Sequence, residues 1–139
     1  NALSIIENVI NSELSAPLEL YYAHNPPKAK ELQFETYDGA YKSLYFDMNT
    51  KQLSLYRLHN SNLPGTNYEL EMELAQISDF AVKTKDIYGN VSTKTATGAL
   101  SDNELAIVSV TVPDIRTITG GDQLVREQIM EFPVAVFQK

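Results

Sequence analysis

The chain has no cysteine and no tryptophan, and only two histidines. Without cysteine it has no disulfide, no thiol nucleophile and no cysteine-based zinc site. Basic residues are scarce: 11 Lys plus Arg face 18 Asp plus Glu, a net charge of −7. An acidic chain without a basic cluster is repelled by phosphate backbones, so no nucleic-acid partner is expected. No apolar run reaches the roughly 18 residues that a membrane-spanning helix requires. Nucleotide-binding and hydrolase motifs are missing too. No GxGxxG or P-loop offers a phosphate cradle, and no GxSxG offers a nucleophile elbow. Gly120-Gly121 alone is a turn signal.

What is present is the composition of an ordinary folded domain. The 139 residues are 43% hydrophobic and 21% charged, enough for one domain with a sizeable core. We read residues 1–139 as a single unit, a helix over 2–16 and a β-rich head over 18–139. Leu3, Ile6, Val9, Ile10 and Leu14 recur at steps of three and four, the spacing of one helical face, and Ile5 widens the stripe. Pro17 is the expected stop. A helix this short must pack against something or continue something longer. The chain starts at Asn1 without an initiator Met, which raises the expectation of a processed or trimmed product with a segment upstream.

Beyond Pro17 the period shifts from 3.6 to 2. Leu18–Tyr22 reads as a brief extended piece, and His24-Asn25-Pro26-Pro27 as a loop. Glu31–Tyr37, Lys42–Met48 and Gln52–His59 read as a three-stranded antiparallel meander. Asn60–Asn67 reads as a surface loop. In Tyr68–Leu74, Leu70, Met72 and Leu74 alternate with three glutamates, which favours a strand, although Glu, Leu and Met are also good helix formers. Asp79–Lys85 is expected as a strand with Phe80 and Val82 inward, followed by a turn at Tyr88-Gly89-Asn90. Val91–Thr97 suits an edge strand. LAIVSVTV, residues 105–112, reads as a central strand stopped by Pro113. Thr117–Asp122 is a loop, and Leu124–Phe137 a final strand in which Pro133 marks an edge or a bulge.

Candidate chemistry is thin. His24 and His59 lie in or beside loops, where a surface histidine is the simpler reading than a catalytic base. Glu69, Glu71 and Glu73 would share a strand face and could attract a hard cation; a solvated face, or one paired with a neighbouring Lys, is the plainer reading. Asp86 and Asn90 flank a turn without the full calcium-loop pattern. No catalytic residue, cofactor site or metal site is expected, and the chain reads as non-enzymatic. Eight tyrosines stand out, six of them at 21, 22, 37, 41, 45 and 56. Tyrosine anchors interfaces because it joins a large apolar ring to a polar tip.

The order of elements, an amphipathic helix leading into antiparallel strands, resembles the soluble part of a type IV pilin or pseudopilin. The likeness lies with minor pilins of the PilW type and J-type minor pseudopilins of type II secretion. Four stretches carry it: LQFETYDGAYKSLYFDMNTKQLSLYRL with Leu55 and Arg57; LAQISDFAVKTKDIYGN with Leu74, Ala75, Ile77, Asp79, Phe80, Asp86 and Gly89; LAIVSVTVPD; and REQIMEFPVAVFQK, which ends in Gln138-Lys139 where that group often has Arg-Asn. The coarse plan is one helix followed by seven or eight antiparallel strands, and the resemblance implies an α+β head with the helix packed on the sheet. It also implies a tip or priming subunit of a type IV pilus, competence pilus or type II secretion pseudopilus. The precursor would be held in the cytoplasmic membrane by a missing apolar segment and cut by a prepilin peptidase. The mature subunit would stand in a cell-surface filament beside other minor pilins and the major pilin, with Ile5, Val9 and Ile10 as helix contacts. The alternatives are a secreted or surface adhesin-like module that reads a sugar or peptide through Tyr21, Tyr22 and Tyr41, and a small enzyme with a pocket of convergent polar groups.

Overall fold

A computed structural model describes residues 2–24, 26–59 and 67–136. Its elements, in order, are α1 (Ala2–Glu13), β1 (Ala16–Ala23), β2 (Ala29–Glu35), β3 (Tyr41–Asp47), β4 (Gln52–Leu58), β5 (Tyr68–Gln76), β6 (Asp79–Lys85), β7 (Val91–Thr93), β8 (Gly98–Ala99), β9 (Leu105–Thr117) and β10 (Gln123–Ala135). The strands form two antiparallel sheets. One has six strands in the order β5-β4-β3-β2-β1-β8, the other four in the order β10-β9-β6-β7.

This overturns the α+β, pilin-like head. The fold is a mostly β structure of two sheets with one short helix, and the described residues contain ten strands. The physical reason is width. Six strands span about 25 Å, whereas one helix is about 10 Å across and cannot cover them. The apolar face of the larger sheet, with Leu20, Leu32, Phe34, Leu44, Phe46, Leu53 and Leu55, is instead covered by Phe80, Val82, Val108 and Val110 of the smaller one. Phe46 and Phe80 meet across the gap with ring centroids 6.3 Å apart. Helix α1 lies between β5 and β10, one edge strand of each sheet, and closes that side with Ile6, Val9, Ile10 and the following Leu14.

Several boundaries differ from the sequence reading. The helix ends at Glu13, three residues early, because the Ser15 amide already bonds to the Glu35 carbonyl at 3.0 Å and Ala16 opens the ladder with β2. Pro17 therefore sits in a strand, beside a register shift, where a missing donor is tolerated. The extended piece at Leu18–Tyr22 is a full interior strand, β1, flanked by β2 and β8. Pro113 does not stop β9. The Thr111 carbonyl points toward β6, so two residues on Pro113 faces the same side, beyond the end of β6, and leaves no partner unbonded. Pro133 lies on an edge strand, one of the two placements expected of it. The meander, the inward Phe80 and Val82, and the turn at Gly89 are as read. Of the loop read at Asn60–Asn67, residues 60–66 lie outside the described residues.

One ion cluster ties the helix to the larger sheet. Lys42 of β3, almost buried, donates to Glu13 at the end of α1 and, at 2.8 Å, to Glu71 of β5; Arg57 holds the other oxygen of Glu71 at 3.0 Å. Two register shifts between β4 and β5 break the alternation of the three glutamates and aim Glu71 at these cations. Glu69 instead meets His59 at 3.1 Å. Burial works against the Lys42 charge, but the two glutamates outweigh it and hold its pKa above the ordinary value. Burial likewise opposes ionised Glu71, yet Lys42 and Arg57 hold its carboxyl below the usual range.

Two outcomes are expected. Phe80→Ala removes a fully buried ring and should cost about 3–5 kcal/mol in a denaturant titration. Lys42→Ala should cost about 2 kcal/mol, between the values for exposed and buried pairs, and speed hydrogen exchange in α1. Because the folded pKa of Glu71 is depressed, its share of that stability is present at neutral pH and lost as pH falls through the folded value. The gap between Lys42→Ala and the native chain should therefore narrow in acid.

Candidate functional site

Paired residues of an antiparallel ladder share a sheet face. The register places Tyr21 opposite Glu31 and Glu31 opposite Tyr45, so these three stand in one row on the outer face of the six-stranded sheet. The next row holds Gln33, Ser43 and Tyr56. Here a groove of about 600 Å³ opens, lined by Tyr21, Ala23, His24, Glu31, Tyr45, Asp47, Tyr56 and Tyr68. Its size is that of a small-molecule site.

The tyrosines form its walls. The Tyr45 and Tyr56 rings have centroids 5.4 Å apart and cross at 66°; Tyr56 and Tyr68 lie 5.9 Å apart at 57°. Glu31 forms the floor and is only 2% exposed. Its carboxylate accepts from the Tyr68 hydroxyl and, at 2.7 Å, from the Gln33 amide, which also reaches the Tyr68 oxygen at 3.1 Å. The fully buried Ser43 hydroxyl lies close enough to favour the Glu31 charge, although it falls short of hydrogen-bond geometry. Burial pushes the Glu31 carboxyl up, against these donors, and Glu19 adds to the rise. At the rim the Thr50 amide holds Asp47 below the usual range, with the Asn49 amide adding to it. Burial, then Glu31, Asp47 and Tyr56, raises Tyr45, which keeps its phenol a neutral donor.

The residues singled out from sequence scatter. Tyr21 reaches the groove. Tyr22 points to the opposite face and donates to the Lys94 carbonyl at 3.1 Å. Tyr41 starts β3 on the same outer face but does not line the groove. Val9 and Ile10 are core residues, and Ile5 is 40% exposed. His24 lines the groove from a left-handed backbone position. Asp86 caps its own turn through the Tyr88 and Asn90 amides. No group of three His, Asp or Glu able to hold a metal occurs among the described residues. Glu31 and Tyr68 were missed by the sequence reading. Recognising β1 as a strand would have aligned Tyr21, Glu31 and Tyr45; nothing local flags Tyr68.

Glu31 tests this arrangement. Its folded pKa is raised, so its contribution to stability is complete below the unfolded value of about 4.3 and is lost as pH rises through the folded value. Glu31→Gln should therefore raise the melting temperature at pH 7–8, with the difference vanishing toward pH 4. A native chain that gains on the variant as pH rises would mean that the donors outweigh burial and depress the folded pKa.

No protein-family model, no curated protein and no solved structure matches this chain.

Proposed function

We propose that the chain is a non-catalytic recognition module whose ligand seat is the tyrosine groove. One observation carries this reading: three tyrosine side chains meet at steep angles over a buried carboxylate, with Tyr21 opposite. Polar groups kept out of water cost free energy unless they are bonded, and this layer gives the core nothing. Tyrosine rings lose little entropy on binding and offer both apolar area and a donor. The carboxylate is held by Tyr68 and Gln33, an arrangement that fixes an acceptor in place. In a screen of glycans and peptides, Tyr45→Ala and Tyr56→Ala should each weaken a binder at least tenfold, about 1.4 kcal/mol. Tyr37→Ala, exposed and outside the groove, should leave it unchanged. A screen in which no binder depends on groove residues would contradict the proposal.

A second reading, the assembly subunit of a surface filament, is favoured by a different surface. Val125 and Ile129 share one face of edge strand β10 and are 61% and 60% exposed. Exposed apolar side chains on an edge strand are a ready contact for a neighbouring subunit. No helix among the described residues is long and apolar enough to cross a membrane; on this reading the anchor is a segment upstream of Asn1. The gene there should encode a short basic leader, a Gly or Ala before the cut, and about twenty apolar residues. An ordinary cleaved signal peptide ending at Asn1 would contradict it.

A further inference from the structure

We infer that the groove takes a small organic cation, an ammonium carrying methyl groups, seated among Tyr45, Tyr56 and Tyr68 above Glu31. This rests on the groove being the ligand seat and goes on to name the ligand's chemistry. Charge comes first. Among the described residues the lining includes Glu31 and Asp47 and no Lys or Arg. An anion would meet a like charge on floor and rim, and a net charge of −7 favours cations at every approach. Shape comes second. A flat ligand stacks on a flat platform, but these rings cross at 66° and 57°. Successive faces that meet at steep angles contact a compact, rounded group on several sides. An alkylated ammonium has that shape, and its diffuse charge is drawn to ring faces within about 6 Å. Desolvation comes third. A methylated ammonium is weakly hydrated and gives up little water on entering. The floor carboxylate, already out of water, attracts it more strongly than an exposed one would. The groove of about 600 Å³ is larger than a trimethylammonium head and leaves room for a substituent.

The experiment uses the whole chain and four probes: choline, its uncharged isostere 3,3-dimethylbutan-1-ol, an amide of trimethyllysine, and a neutral disaccharide. Binding is followed by the tyrosine ring resonances and by calorimetry. Choline should shift the ring signals of Tyr45 and Tyr56 and bind at least tenfold more tightly than the isostere. Glu31→Gln should cut that preference several-fold, and Tyr45→Ala should weaken both. Trimethyllysine amide binding above choline would place the cation on a peptide side chain; the reverse order would make it a free solute. Both keep the inference. Equal binding of choline and the isostere, or shifts with the disaccharide alone, would overturn it and leave the recognition module standing. Silence with all four probes would overturn it as well, and the module itself would then fall only if the glycan and peptide screen were also silent.

Discussion

Strand β2 has neither face in water, and the rest of the molecule is arranged around that constraint. Six of its seven residues, Ala29 to Phe34, are buried. Its inner side carries Leu32 and Phe34 into the core, with Lys30 at the margin tied to Asp79 of the other sheet at 3.2 Å. Its outer side carries Glu31 and Gln33, two groups that water would otherwise satisfy. A charged group in that position needs donors close at hand. Tyr68 comes from the far edge of the sheet to supply one, and Gln33 supplies another. The two sides are solved differently. The inner one is covered by a second sheet and a helix, the outer one by tyrosines standing over a polar floor.

The outer solution does little for stability. β-branched residues at positions 31, 33 and 43, in place of Glu31, Gln33 and Ser43, would suit the strand propensity of the sheet at least as well. The chain instead keeps a carboxylate whose burial is only partly offset, and departures of this kind concentrate at functional sites. The ion cluster of Lys42, Glu13, Glu71 and Arg57 stands in contrast. There, opposite charges meet and fasten the helix to the sheet, so structure alone accounts for them. In the groove the acidic groups face tyrosines, and charge balance is left for something that arrives.

Much of the architecture was legible in the chain. Alternation at Leu32 and Phe34, at Leu44 and Phe46, and at Phe80 and Val82 marked strands and their inward sides correctly. Local pattern could not show how many layers those strands would make, because a residue facing inward looks the same whether a helix or a sheet covers it. The α+β expectation failed at that point. The second difficulty was proline. Pro17 and Pro113 were read as stops, yet each sits where its missing donor faces a register shift or the space past a neighbouring strand's end. Whether a strand tolerates proline depends on its neighbours, which the sequence does not display. The site was half visible. The tyrosine cluster was noted, but choosing among its members required the register that brings Tyr21, Glu31 and Tyr45 into one row and leaves Tyr22 on the other face.

The most direct measurement is a pH titration of the Glu31 side-chain carboxyl followed by carbon-detected NMR on the selectively labelled chain. That group lies under tyrosines and out of water, with burial outweighing its donors. The expected midpoint is above the ordinary glutamate value of about 4.3. A midpoint at or below that value would contradict the account, because burial would then not outweigh the donors from Tyr68 and Gln33.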